Sequence, residues 1–192
     1  DVMSVAMGAF AEDSGGGVAI GFCAKNNGTA AIGSSSKTDG FMAIAIGGDA
    51  KAIGSSTIAM SYKSEASKEN AMAIGEYAKA IDTNTIAMGA KSEASKENAM
   101  AIGYNAKATG TNSIAIRGTA SGYQSKAFGG TASGDYSIAI GGTAAEAYSY
   151  AIGGQAKGKY SVSIGEGSVA TDRSTVSVGS GVDDGYGGFY SA

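Results

Sequence analysis

The chain has no histidine, no proline, no tryptophan and a single cysteine. Without histidine there is no imidazole base, no histidine-containing catalytic triad and no imidazole metal ligand. One cysteine, Cys23, closes no internal disulfide and builds no cysteine-rich zinc site. Its expected role is a small side chain within the fold, with a reactive or inter-chain thiol as the alternative. No run of about 18 apolar residues occurs, so no segment reads as a membrane-spanning helix. Charge is sparse too. A formal −3 on 192 residues gives no electrostatic reason to expect nucleic acid or an anionic membrane as partner. Gly15-Gly16-Gly17 is not followed by the Gly-Lys-Ser/Thr of a phosphate loop. Asp183-Asp184-Gly185 is one short acidic cluster, short of the six or more oxygens that calcium takes. These absences argue against an enzyme and imply no cofactor and no metal.

What the chain does have is one degenerate phrase, roughly hydrophobic-Ala-Ile-Gly, fourteen times over. Counting its closing residue as position zero, that position falls at 8, 21, 33, 47, 61, 75, 89, 103, 117, 129, 141, 153, 165 and 179. It is glycine except at Ser61 and Arg117. The segment KSEASKENAMAIG at 63–75 recurs identically at 91–103, which reads as duplication of a two-rung unit. A fixed period of 12 to 14 residues excludes an ordinary globular core. Each copy is one rung of a stack and cannot bury its apolar residues alone. The first copy, Val5-Ala6-Met7-Gly8, follows Asp1 almost at once, and the chain reads as an excised or processed part of a longer protein.

Within a rung, large residues at −3 and −1 alternate with small ones at −4 and −2. Period two is a strand signature. A second small-residue run follows the glycine, with Ala or Ser at +3 and often Ala at +5. Two short strands and two tight turns fit this length. The expected architecture is a flattened parallel coil, with the large −3 and −1 residues inside. Lys126 at a −3 position then needs a local bulge or a snorkelling side chain.

Position −2 is Ala or Ser in every copy. On this reading it faces outward, as a flat surface for two or three chains side by side. The interface residues so predicted are Ala45, Ala59, Ala73, Ala87, Ala101, Ala115, Ala139 and Ala151. The alternative is that small residues merely fit a tightly curved sheet. Position +4 reads Lys51, Glu65, Lys79, Glu93, Lys107, a solvent-facing ladder of alternating sign. Position −5 carries Asn70, Asn84, Asn98 and Asn112, then Tyr136, Tyr148 and Tyr160. Both columns read as turn reinforcement. The three tyrosines are also the best candidates for an exposed, ligand-contacting aromatic strip.

The repeat resembles the YadA-like, or haemagglutinin-repeat, head of the trimeric autotransporter adhesins. The residues that carry this are Asn112-Ser113-Ile114-Ala115-Ile116, and Ser137-Ile138-Ala139-Ile140-Gly141 with Ala144. The likeness extends over about residues 4 to 180. It implies an all-β, left-handed parallel β-roll of 12–14-residue rungs, assembled as a homotrimer. It also implies display on a bacterial surface, with the outer-membrane anchor in a part of the protein outside this segment. The implied ligands are host matrix proteins, cell-surface proteins or glycans. Residues 1–179 are then head repeats. Residues 180–192, SGVDDGYGGFYSA, have neither a neck motif nor heptads and read as a cap, connector or tip. Two alternatives remain open. One is a structural spacer in a phage tail fibre or bacterial surface fibre. The other is an ice-binding solenoid, for which Thr119, Thr131 and Thr143 form one short column.

Overall fold

Two strands per rung require the chain to reverse twice within 12 to 14 residues. The computed structural model describes residues 4–179, which form a parallel β-solenoid with no helix among the described residues. The chain divides into two compact units, residues 1–106 and 107–192.

In the first unit the leading strand of each rung has three residues, as in Ile44–Ile46, Ile58–Met60, Met72–Ile74 and Ile86–Met88. These pair in parallel without offset, so that Ala45, Ala59, Ala73 and Ala87 form one column. The trailing strands Lys51–Ala52, Glu65–Ala66, Lys79–Ala80 and Glu93–Ala94 build a second parallel sheet. The second unit repeats the plan. Its leading strands include Ile114–Ile116, Lys126–Phe128, Ile138–Ile140 and Tyr150–Ile152. Its trailing strands include Thr119–Ala120, Thr131–Ala132 and Thr143–Ala144.

The interior inverts the orientation expected from the sequence. Ala45, Ala59, Ala73, Ala87, Ala101, Ala115, Ala139 and Ala151 are 0% exposed in the single chain. They point into the coil and cannot form an intersubunit surface. Opposite them lie other small residues, Ala50, Ala52, Ala78 and Ala80 among them. The largest fully buried side chains are Asn26, Thr38, Thr57 and Thr85. No isoleucine, methionine or phenylalanine is buried among the described residues. The cause is the corners. A tight turn brings chain ends within about 7 Å, whereas sheets with large side chains between them pack about 10 Å apart. Sheets joined this closely have space for small side chains only, Ala and Ser at most positions and Thr or Asn26 at a few. The −3 and −1 residues therefore face out. Lys126 needs no bulge: it pairs in regular register with Ile114 and Ile138, and its side chain is exposed.

The corners are built from left-handed residues and local hydroxyl bonds. Asn70, Asn84, Tyr136 and Tyr148 all have φ between 54° and 58°. At Gly33, φ is +131° and a Cβ would lie 2.5 Å from the Gly47 carbonyl oxygen, so glycine is required by the next rung. Thr57 Oγ1 donates to the Gly54 carbonyl at 2.6 Å, and Ser137 Oγ to that of Gly134 at 2.6 Å. Such bonds satisfy most of the buried hydroxyls at this position, though Ser113 Oγ and Ser125 Oγ, also at −4, make none. The bonds also explain why position −4 admits Thr and Ser as well as Ala.

Rungs shorten in two ways. In the second unit only Arg117-Gly118, Gly129-Gly130, Gly141-Gly142 or Gly153-Gly154 link the leading strand to the trailing one. Ala120, at +3, consequently pairs with Ala108, at +5 of its rung. In the first unit the short rung after Gly21 loses length at the other corner, where only Gly28 and Thr29 separate Lys25–Asn27 from Ala30–Ile32.

Candidate functional site

With the small residues inside, the leading sheet of each unit presents its large side chains outward. In the first unit these are Val, Ile, Met and Ala only, from Val5 and Met7 to Met100 and Ile102. Ile46 is 36% and Met88 39% exposed. In the second unit Ile140 and Ile152 reach 45% and 47%. Two residues interrupt the apolar columns there, Lys126 and Tyr150, both at −3. No −3 or −1 position in either unit is acidic. Contiguous apolar faces of this kind mark interaction surfaces.

The −5 corner carries different ladders in the two units. In the first, Asn70 Nδ2 donates to Asn84 Oδ1 and Asn84 Nδ2 to Asn98 Oδ1, each at 3.0 Å. In the second, the Tyr136 and Tyr148 rings stack at 4.8 Å and 7°, and Tyr148 and Tyr160 at 5.1 Å and 14°. Tyr123 packs edge-on against Tyr136 at 5.4 Å. At the far end Lys159 and Arg173 lie 5.3 and 5.5 Å from the centre of the Tyr160 ring. The ring faces are thus taken up by neighbouring rings and cations. What solvent meets is a row of ring edges and hydroxyls, not open faces for stacking. Loss of hydration among these rings, with the nearby Tyr123 and Tyr148 phenols and the Asp135 carboxylate, holds the Tyr136 phenol above its ordinary value.

A second aromatic set, on the corner after the leading strand, is one that the repeat pattern did not single out. In the first unit Lys63 lies 5.0 Å from the Tyr62 ring centre and 5.7 Å from that of Tyr77. Its bond to Tyr62 and the nearby Tyr62 and Tyr77 phenols raise the Lys63 amine. Lys91 sits 5.9 Å from the Tyr104 ring, and Phe10 and Phe22 meet edge-to-face at 5.9 Å. The available signal was an aromatic or lysine at +1 or +2 in several rungs. Cys23 stands on this corner as a half-buried free thiol with φ 52°.

The charged column is less regular than alternation implies. Lys51, Glu65, Lys79 and Glu93 do stack in register. Yet Lys25, Lys37 and Lys51 are also direct neighbours. The only ion pair among the described residues is Lys25 Nζ to Glu12 Oε2 at 3.3 Å. In the second unit the same column becomes Thr119, Thr131, Thr143 and Gln155, in direct register.

The two shortened corners leave shallow grooves. One of about 420 Å³ in the second unit is lined by Thr119, Thr131, Thr143, Gln155 and paired glycines. The other, about 510 Å³ in the first unit, lies among Gly15 to Gly17, Asn27, Asp39, Phe41 and Met42. Beside it the inner +5 column turns polar. Asn26 Nδ2 donates to Asp13 Oδ1 at 2.6 Å, and the Thr38 hydroxyl donates to Asn26 Oδ1 at 2.5 Å. No cluster of three or more His, Cys, Asp or Glu able to hold a metal occurs among the described residues. The Asp183-Asp184 cluster and the whole 180–192 segment lie outside those residues.

No curated protein matches the sequence. The YadA head domain repeat does, in two copies spread over residues 39–60, 66–92, 94–116, 131–144 and 156–181. These segments make up more than half of the chain. They fall on the rungs whose small interior and large outward columns have just been described. The chain belongs to the YadA head repeat family, a family of surface adhesin heads rather than of enzymes.

Proposed function

We propose that the chain is the head segment of a homotrimeric, cell-surface adhesin whose three copies meet through the outward −3 and −1 columns. The observation that supports this is an interior already complete without any large residue. Every isoleucine and methionine of the leading strands keeps surface in the single chain. Full burial of such a side chain stabilises by about 1.5–3 kcal/mol, so covering these columns supplies a large driving force that the lone chain does not realise. Family membership agrees with trimeric association in general terms.

In this reading the assembly attaches to matrix proteins, other cells or their glycans, without chemistry of its own. It acts outside the cell, held at an outer membrane through another part of the protein. Contact falls on surfaces that the repeat leaves free to vary. The edge of the Tyr136, Tyr148 and Tyr160 ladder, ending in Lys159 and Arg173, is the first candidate. A spacer role is the second reading, favoured by the same ladder because its ring faces already serve one another.

Light scattering tests the assembly, with about three times 18.8 kDa as the expected mass. A strict monomer overturns it. Binding to a panel of matrix proteins, glycans and cells tests the adhesin reading. Retained binding after Tyr136, Tyr148 and Tyr160 are replaced removes the ladder from the contact surface, and no binding anywhere on the panel favours the spacer.

A further inference from the structure

The trimer reading leaves one charge unaccounted for. Lys126 projects from the −3 column of the second unit, in direct register between Ile114 and Ile138. Its own strand continues to Phe128, which pairs with Ile116 and Ile140. The ammonium makes no ion pair among the described residues. No −3 or −1 position of the chain carries a carboxylate. Tyr150 is the only other polar residue in these columns of the unit, and it carries no carboxylate. The family repeat also skips residues 117–130, so this strand departs from the pattern of its neighbours.

A cyclic assembly places the same residue of every copy at one height about the axis. When the face is covered by other copies of itself, each Lys126 meets further Lys126 ammonium groups and further apolar side chains. Charge buried without a partner is strongly unfavourable. The face itself provides nothing to neutralise it. We infer that the assembled head takes up a small inorganic anion, of the halide or phosphate class, between the Lys126 side chains of its copies. The inference rests on the trimer reading above. The anion stabilises the assembly because it binds the associated form and has no site on the separated chain.

The test uses crystals and solutions of the whole chain, with bromide as the probe. Anomalous scattering is expected to show a bromide peak among the Lys126 side chains. At fixed ionic strength, replacing a bulky organic sulfonate by bromide is expected to raise the melting temperature. Lys126→Met removes both effects while the mass by light scattering stays trimeric. Met72 and Met100 already occupy −3 positions, so methionine suits the strand. Lys126→Arg restores both effects. A trimer with no bromide peak, in which wild type and Lys126→Met respond alike to the anion exchange, overturns the anion site and leaves the trimer standing. A monomer overturns both.

Discussion

The two units build the same interior from opposite surfaces. In residues 1–106 the −5 corner is tied by Asn70, Asn84 and Asn98, the trailing strands carry Lys and Glu, and the −3 column is wholly apolar. In residues 107–192 the corner is tied by stacked tyrosines and the trailing strands carry Thr and Gln. The −3 column there admits Lys126 and Tyr150. Yet Ala73 and Ala139 are equally inaccessible. The lesson is that the stack is specified by what fits between two closely joined sheets. Asn ladders and Tyr ladders are interchangeable solutions to one problem, a left-handed corner repeated at every rung.

The largest expected effect tests which side of the strand is inside. Ala87→Glu should unfold its rungs, because a carboxylate would enter an interior that has space only for small side chains, at a cost of several kcal/mol. Ile86→Glu, one residue away, should leave the single-chain fold intact. Circular dichroism melting of the pair reads the difference, and equal losses would refute the assigned faces.

Next in size is the assembly itself. If the proposed trimer forms through these columns, Ile58→Glu with Ile86→Glu should lower the mass by light scattering towards that of a folded monomer. Persistence of the trimer would place the interface elsewhere.

Replacing Tyr136, Tyr148 and Tyr160 together by Asn converts the second unit's corner into that of the first. Asn adopts the left-handed region more readily than Tyr, so the fold should survive, with a change of about 1–2 kcal/mol from the lost ring contacts. Collapse of the solenoid would show that the ladders are not interchangeable.

Alkaline titration separates the units more gently. The folded Tyr136 phenol lies above its unfolded value, so the folded state holds its proton more firmly. Its contribution is complete below the ordinary phenol value near ~10 and is lost as pH rises through the folded value. Melting followed by tyrosine absorbance should show the second unit loosening in that window. The Asn variant should lack this response.

The smallest effect is expected on the outer column. Thr119→Lys, Thr131→Glu and Thr143→Lys would copy the first unit's charges, and exposed pairs contribute only about 0–1 kcal/mol. A larger stabilisation, abolished by salt, would mean that the column does more than keep the strand soluble.

Much of this was legible in the residues. The leading-strand pairs followed from the register of the closing glycine. The Asn and Tyr ladders followed from their recurrence at −5. The solenoid itself followed from a period too short for any other core. The direction of the side chains is the reverse of that expected, although the sequence carries the relevant signal. Four columns of small residues, at −4, −2, +3 and +5, line the inside, and corners this tight admit nothing larger there than Thr or Asn26. Alternation alone does not say which face is inside, because a strand read by period two is symmetric under exchange of its faces. The position of the two-residue deletions was also hidden. Aligned on glycine, Thr119 and Lys107 occupy different positions, and only the pairing shows them to be neighbours.

By itself, then, the sequence determined a stack of parallel rungs, their length and their order, since a unit of 12–14 residues cannot bury its own side chains and is completed only by its neighbours. The tertiary structure decided which face is core and which is surface. Sheet separation is a property of the closed rung, and only that separation makes alanine the core residue and leaves isoleucine outside, seeking a partner.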